Sequence, residues 1–524
     1  MAMNCLLAES DRVAQAHRTR CVVFVLIAVA VLVRVAGLFR PLLGDFATKN
    51  VVYAMIARNW ALGRASLFTP TLDCLAGGER SWHLLEVPLP AYLAGLCWQI
   101  GGGSLDAWGR AISIAASAIS VVLLYLLARR WHGEPVGRAA AAIFALSPVS
   151  IVYGQSFMLE ATVVALSLGT IWAVDGWRVG RATWRLLLAA VLFAALVLTK
   201  IYMLSLLLPI GWLLVSRSTN VQDEISPRNN DSYDYFRALA LPLGVLLLAA
   251  VPALLWCDYV LSIADPAAVT STRVFFSLRE SAASHGWPHP LLTQPGFYAG
   301  VTRNLVTVAL TPVGALLLLA GLRHDAWRRH AVWLGAAALL LLVLPRKFHE
   351  MNYYYLVILP PLAIVAALGW EQIHRRFGGR RTLVAVACLG ALCSLRYAVR
   401  PAFVTPAEDS MVVAAAERIR AVTPADAWIV TMHGSSIDLL YYADRKGVAI
   451  GRDEPVLDQK LATLGKSGAA LLAVAEMDFA QLPQRTRDTL ARQSLIESGP
   501  GYRLYRLSNA GTIELAGRAT KVRE

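Results

Sequence analysis

The sequence predicts a multi-spanning α-helical membrane protein of about eleven spans, with a long first outer loop of interfacial helices and a small C-terminal α/β domain. Three observations lead there. The 524 residues are 57% hydrophobic and only 16% charged, whereas a soluble globular chain is nearer half apolar and a quarter charged. Apolar runs of roughly 17 to 25 residues, the length that crosses a bilayer, recur as far as about Arg400. Beyond Pro401 charges become frequent and the apolar runs shorten.

The candidate spans lie at about 21–39, 107–128, 137–153, 157–175, 184–200, 201–217, 238–257, 303–322, 331–345, 353–370 and 382–399. The first has no small-residue cleavage site after it and contains Arg34, so it is read as a retained span. The stretch 184–217 is one apolar run broken by Lys200, which suggests a tight hairpin. The net charge of +14 does not argue for nucleic acid, because most Lys and Arg sit in short loops between apolar runs, where they set topology. With the N-terminus inside, every inside loop carries a basic cluster, such as Arg129, Arg130 and Arg138, or Arg375, Arg376, Arg380 and Arg381. The resulting division is a cytoplasmic N-terminus 1–20, a membrane domain 21–400 with its first periplasmic loop at 43–106, and a periplasmic domain 401–524.

Within that first loop, "VVYAMIARNWALG" and "PLPAYLAGLCWQIGG" are too short to span and too apolar to float free, as expected of interfacial helices. A second outer segment, about 258–303, contains "SLRESAASHGWPHP". In the C-terminal part, "AWIVTM", "GVAIG" and "AALLAVAE" read as buried strands, with helices over "EDSMVVAAAERIRAV" and "EPVLDQKLATLGKSG". Neither a phosphate-binding glycine loop nor a dinucleotide fingerprint occurs, so ATP-driven transport is not indicated. Cys5, Cys21, Cys74, Cys97, Cys257, Cys388 and Cys393 form no CxxC pair and no Cys/His ligand spacing. Neither a disulfide framework nor a structural zinc site is expected.

Ionisable side chains near bilayer depth are costly and therefore point to function. Asp45 and Lys49 follow the first span, in "GDFATKN". Glu160 opens the fourth span, and Lys200 interrupts the long apolar run. Arg346, Lys347, His349 and Glu350 precede Tyr353-Tyr354-Tyr355, and the first loop adds Arg58, Asp73, His83 and Glu86. All map to one side of the membrane. Each has a plainer explanation: a polar helix end for Asp45, a snorkelling Lys200, a solvated turn with an aromatic belt for "PRKFHEMNYYY". Arg34 either pairs inside the bundle or snorkels. His285 and His289 read as ordinary loop histidines, and Asp231 and Asp234 as plain loop. Together the site residues supply carboxylates that can take a proton from a hydroxyl, cations that can hold a phosphate, and aromatic rings that can pack on a sugar or an isoprenoid tail.

The stretches "GDFATKNVVYAMIARNW", "LFTPTLD", "EVPLPAYLAGL", "GRAISIAASAISVVLLYLLARRWHG", "ALSPVSIVYGQSFMLEATV", "LVLTK" and "FHEMNYYYLVILPPLAIVAA" resemble, in this order over about residues 20 to 400, the GT-C glycosyltransferases of the protein mannosyltransferase and bacterial aminoarabinose transferase superfamily. The resemblance implies an inverting transferase on the outer face of the bacterial cytoplasmic membrane. It would move a sugar from a polyprenyl-phosphate donor to a hydroxyl of a lipid, glycan or protein. The family's catalytic acid falls on Asp45. Protein mannosyltransferases often carry Asp-Glu there, whereas this chain has Asp45-Phe46 and lacks the second acid. A further family acid falls on Glu160, and the basic residue implied to hold lipid phosphate falls on Lys200. The histidine before the tyrosine-rich span falls on His349, and Asp73 and Glu86 match acidic positions of bacterial relatives. Arg58 is implied to contact phosphate or to hold the loop helices, and Lys49, His83, Arg346, Lys347, Tyr353 and Tyr354 complete the expected substrate-binding set. No cofactor is required; the clustered carboxylates could hold a divalent metal ion, although no obligatory ligand set is evident. A flippase for a lipid-linked sugar and an assembly subunit using the C-terminal domain for docking are the competing classes.

Overall fold

The computed structural model describes residues 21–75, 81–216, 232–263, 289–434 and 436–507. Cys5, Asp231, His285 and most of "SLRESAASHGWPHP" lie outside them. Helices occupy all eleven windows, but unevenly. Among the described residues four are long and apolar enough to cross a membrane: Leu105–His132, Leu239–Ser262, Asp325–Val343 and Tyr354–Phe377. A fifth is possible if Pro295–Ala309 and Thr311–Gly321, bent by 106°, count as one. The apolar helices Cys21–Val35, Thr183–Thr199, Ile201–Val215 and Val384–Ala398 are shorter. The breaks have local causes. Pro148 splits the third window into Glu134–Leu146 and Pro148–Tyr153. Thr311 adopts φ 66° at the 106° bend. Lys200 has extended backbone (φ −150°), ending one helix before a 3₁₀ turn over Ile201–Leu206.

The helix Leu105–His132 shows how sequence sets a boundary. The Ser104 hydroxyl accepts from the Ala107 amide at 3.3 Å, Asp106 sits in the first turn, and Arg129, Arg130 and His132 sit in the last. Acids at the start and bases at the end both suit the helix dipole. In the first loop, Ala47–Ala61 and Leu89–Gly101 pair closely. A Cβ on Gly95 would sit 2.7 Å from the Ala57 carbonyl oxygen, so glycine is needed for that approach.

The C-terminal region forms a five-stranded sheet in the order β2-β1-β3-β5-β4. Strands β1 (Trp428–Met432), β2 (Lys446–Ala449) and β3 (Leu471–Ala475) are parallel, with Val430 opposite Val448 and Leu472. Strands β4 (Ser494–Gly499) and β5 (Tyr502–Arg506) add an antiparallel hairpin that the sequence pattern did not suggest. Period-two alternation divides the core. Val430, Leu472 and Val474 pack with Leu457, Leu461 and Leu490, whereas Ile429, Leu471 and Ala473 join the core that continues into the membrane helices. The sheet is therefore packed onto the helical body. Its β2 edge is covered by the first outer loop: Leu75 N–H donates to Gly447 O at 2.7 Å, and Gly447 N–H donates to Asp73 O at 2.9 Å.

Candidate active site

Two helix starts and one helix end meet a residue of the first outer loop. Lys49, in the first turn of Ala47–Ala61, donates to Glu160 Oε1 at 2.7 Å; Glu160 opens Glu160–Gly180 and is fully buried. Lys200, at the end of Thr183–Thr199, lies 3.2 Å from Glu86 Oε2, both 6% exposed. Glu86 also accepts from the Tyr53 hydroxyl. Buried ion pairs of this kind survive only with such further hydrogen bonds.

Around them is a cavity of about 480 Å³ lined by Phe46, Thr48, Lys49, Tyr53, His83, Glu86, Lys200, Tyr202, Trp256, Lys347, Tyr353 and Tyr354, with apolar neighbours. Tyr353 and Tyr354 stack with centroids 4.9 Å apart, and the Lys49 ammonium lies 3.6 Å from the Tyr353 centroid. Burial alone would raise the Glu86 carboxyl, but Lys200, His83, Lys49 and the Tyr53 hydroxyl together hold it below the usual carboxylate range. Burial pushes the His83 imidazole down to about 4, so it is neutral at pH 7. Burial, then Lys49 and Lys200, push the Lys347 ammonium down. With Lys49 matched by Glu160 and Lys200 by Glu86, Lys347 leaves the cavity with an excess of positive charge. Such a cavity suits an anion with an apolar attachment.

The structure gathers Lys49, His83, Glu86, Glu160, Lys200, Lys347, Tyr353 and Tyr354 from distant parts of the sequence. Asp45 is exposed and does not itself line the cavity; it precedes the lining residue Phe46 in the chain and makes no salt bridge among the described residues. The other expected residues lie elsewhere. Arg58 pairs with Asp73 at 2.6 Å, donates to Tyr441 O at 2.8 Å and lies 3.3 Å from Asp444. The two thus bind the loop to the C-terminal domain and do not line the cavity. Arg346 pairs with Glu350 at 2.9 Å on the exposed surface, and His349 is exposed beside the Phe297 ring. Arg34 pairs inside the bundle, donating to the Ala30 and Ala145 carbonyls and to Ser150 Oγ at 2.7–2.9 Å.

Sequence reasoning missed Tyr53, Tyr202 and Trp256. Each sits in an apolar helical stretch and looks like an ordinary core aromatic. The Tyr202 hydroxyl, Trp256 Nε1 and Glu160 Oε2 are buried without a hydrogen-bond partner among the described residues, which marks a place for ligand polar groups. Asp409, His433 and Asp438 are the described group whose donor atoms, within 4.8 Å of one another, could hold a metal ion.

Comparisons with known proteins bear on the fold. The family profile "Dolichyl-phosphate-mannose-protein mannosyltransferase" matches residues 86–226. Among solved structures, ArnT from Cupriavidus metallidurans bound to undecaprenyl phosphate superposes with a TM-score of 0.62 at 15% identity, covering 94% of this chain and 99% of that one. The apo state of the same protein gives 0.58 at 15% identity, covering 95% and 99%. An oligosaccharyltransferase from Archaeoglobus fulgidus, tethered to an acceptor peptide, gives 0.51 at 12% identity, covering 94% and 74%. No curated protein sequence matches the chain. A shape shared over nearly the whole length, together with the family profile across the second to sixth windows, identifies this multi-spanning membrane protein as having the GT-C glycosyltransferase fold.

Proposed function

We propose that the protein is an inverting glycosyltransferase that moves a sugar from a polyprenyl-phosphate donor to an acceptor hydroxyl on a lipid, glycan or protein. The observation that carries this reading is the positively unbalanced cavity, whose lining residue Phe46 directly follows the exposed Asp45 in the chain. The donor phosphate would lie among Lys49, Lys200 and Lys347, with its tail along the apolar helices. Asp45 would take or orient the acceptor proton. Attack at the anomeric carbon forms the new glycosidic bond, inverts the centre and expels polyprenyl phosphate. The three ammonium groups stabilise the departing charge, so a strong general acid is unnecessary. Glu160 and Glu86 hold two of those ammonium groups in place. Of the phosphate contacts expected from sequence, Lys200 and Lys347 remain in this scheme, Lys49 joins them, and Arg58, Arg346 and His349 are replaced.

In this reading the eleven helical windows are spans, residues 21–400 form the catalytic domain and 401–524 a periplasmic domain. The N-terminus is cytoplasmic and the site faces the periplasm of a bacterial inner membrane. The basic clusters between the windows support that orientation. The scheme requires no cofactor and leaves room for a divalent metal.

The test supplies labelled polyprenyl-phosphate sugars to purified protein in membranes and follows free polyprenyl phosphate. Wild type is expected to release it, and Asp45→Asn to lose at least about a hundredfold in rate. Full transfer by Asp45→Asn removes the central claim. Lipid movement across the bilayer without release would make the protein a flippase instead.

A further inference from the structure

The turn that presents Asp45 is held from outside the membrane domain. Gly44 has φ 93° and Phe46 has φ 58°, so Asp45 is flanked by two left-handed residues. A non-glycine residue in that region is strained and persists only when its surroundings over-determine it. On one side the Phe46 ring packs edge-on against Tyr353 and Tyr153, at 5.1 and 6.0 Å. On the other, the Gly44 N–H donates to Asp409 Oδ2 at 2.9 Å. Asp409 belongs to the C-terminal domain. Its other oxygen lies 3.4 Å from His433 Nε2, and His433 Nδ1 lies 3.0 Å from Asp438 Oδ1. Asp438 is 1% exposed and accepts from the Leu439 N–H at 2.7 Å, which anchors the row in the domain's core. Two more contacts secure the same segment: Leu42 N–H donates to the Tyr442 hydroxyl at 2.5 Å, and the Thr48 and Ser436 hydroxyls are 3.0 Å apart.

We propose that Asp409, backed by His433 and Asp438, is a positioning residue for the transfer reaction, fixing the Gly44–Asp45–Phe46 turn so that the Asp45 carboxylate meets the acceptor hydroxyl in one orientation. The proposal rests on the reading of Asp45 given above. It assigns the C-terminal domain a part in the chemistry without any contact to substrate. A reacting group displaced by about 1 Å can lose on the order of a hundredfold in rate, and a carboxylate on a strained exposed turn is open to such displacement. The distances also account for the Asp-His-Asp grouping without a metal, since the Asp409 and Asp438 oxygens and both His433 ring nitrogens have protein partners.

The test uses the full chain in lipid nanodiscs with Asp409→Ala, Asp409→Asn and, as a control in the same domain, Glu497→Gln, whose carboxylate pairs with Arg418 and not with the turn. Asp409→Ala is expected to lower kcat by at least about tenfold, with donor KM within about twofold of wild type. Asp409→Asn retains an acceptor for the Gly44 N–H and should stay within about threefold. Amide hydrogen exchange over residues 42–50 should quicken in Asp409→Ala only. Unchanged exchange there, while wild type transfers sugar, overturns the proposal alone. So does an Asn variant as impaired as the Ala variant, because charge or metal ligation would then be what matters. Wild type that releases no polyprenyl phosphate from any donor overturns the functional reading itself, and the catalytic role of Asp409 with it.

Discussion

One short helix carries two ion pairs with different fates. Lys49 and Arg58 both lie on Ala47–Ala61, and both reach a buried carboxylate at 2.6–2.7 Å. They are nine positions apart, about two and a half turns at 3.6 residues per turn, and so project from opposite faces. Lys49 meets Glu160 beside the cavity. Arg58 meets Asp73 and the C-terminal domain, and both of its terminal nitrogens are engaged there. A lysine presents a compact ammonium that can exchange a carboxylate for a phosphate, whereas a fork locked to three partners is part of the scaffold. Charge and burial are similar in the two pairs, so what separates site from scaffold is the space around each pair.

The largest test of that contrast removes Lys200, which shares the cavity with Lys49. Lys200→Met should cut polyprenyl-phosphate release by roughly 10²–10³-fold. Adding Glu86→Gln to it, so that no buried carboxylate is left unmatched, should recover thermal stability but not activity. Recovered activity would make the pair structural, like Arg58–Asp73.

Next in size, Arg58→Met should cost about 3 kcal/mol of stability, read as a lower melting temperature, with donor KM unchanged. Asp73→Leu in the same chain should recover part of that loss. A KM increase without loss of stability would return Arg58 to the substrate site.

His83 gives a smaller effect. Its pKa is about 4 in the folded protein, below the ordinary 6.5. The unfolded chain therefore takes up a proton first as pH falls. The neutral imidazole's stability contribution is fully present above about pH 6.5 and is lost progressively down to about pH 4. Near pH 5 the loss reaches about 2 kcal/mol. His83→Gln should flatten the melting temperature between pH 7 and 5, and an unaltered slope would assign it to other groups. Smallest of all, Tyr353→Phe keeps the ring under Lys49 and should leave transfer within about threefold, whereas Tyr353→Ala should cost about 1 kcal/mol in kcat/KM.

Much of the architecture was legible because it is written locally. A run of apolar residues long enough for a bilayer is helical wherever it lies, and all eleven windows are. The paired loop helices, β1 to β3 and the helices Met411–Val422 and Leu457–Lys466 follow equally local period and composition. The hairpin of β4 and β5 escaped because "SLIESGPGYRLYR" is short and charged, and its outer strand keeps only partial burial.

The sequence by itself determined that this is a membrane protein, which segments are helical, and which charged residues were candidates for the site. The tertiary structure alone decided which of those charges share a cavity. Lys49 finds Glu160, Lys200 finds Glu86 and Gly44 finds Asp409 across one hundred or more intervening residues. Such partners are chosen by packing of helix faces and by a domain folding back over a loop. A turn of about 180° around one helix, invisible in a list of residue types, moves a cation from the substrate's side to the scaffold's.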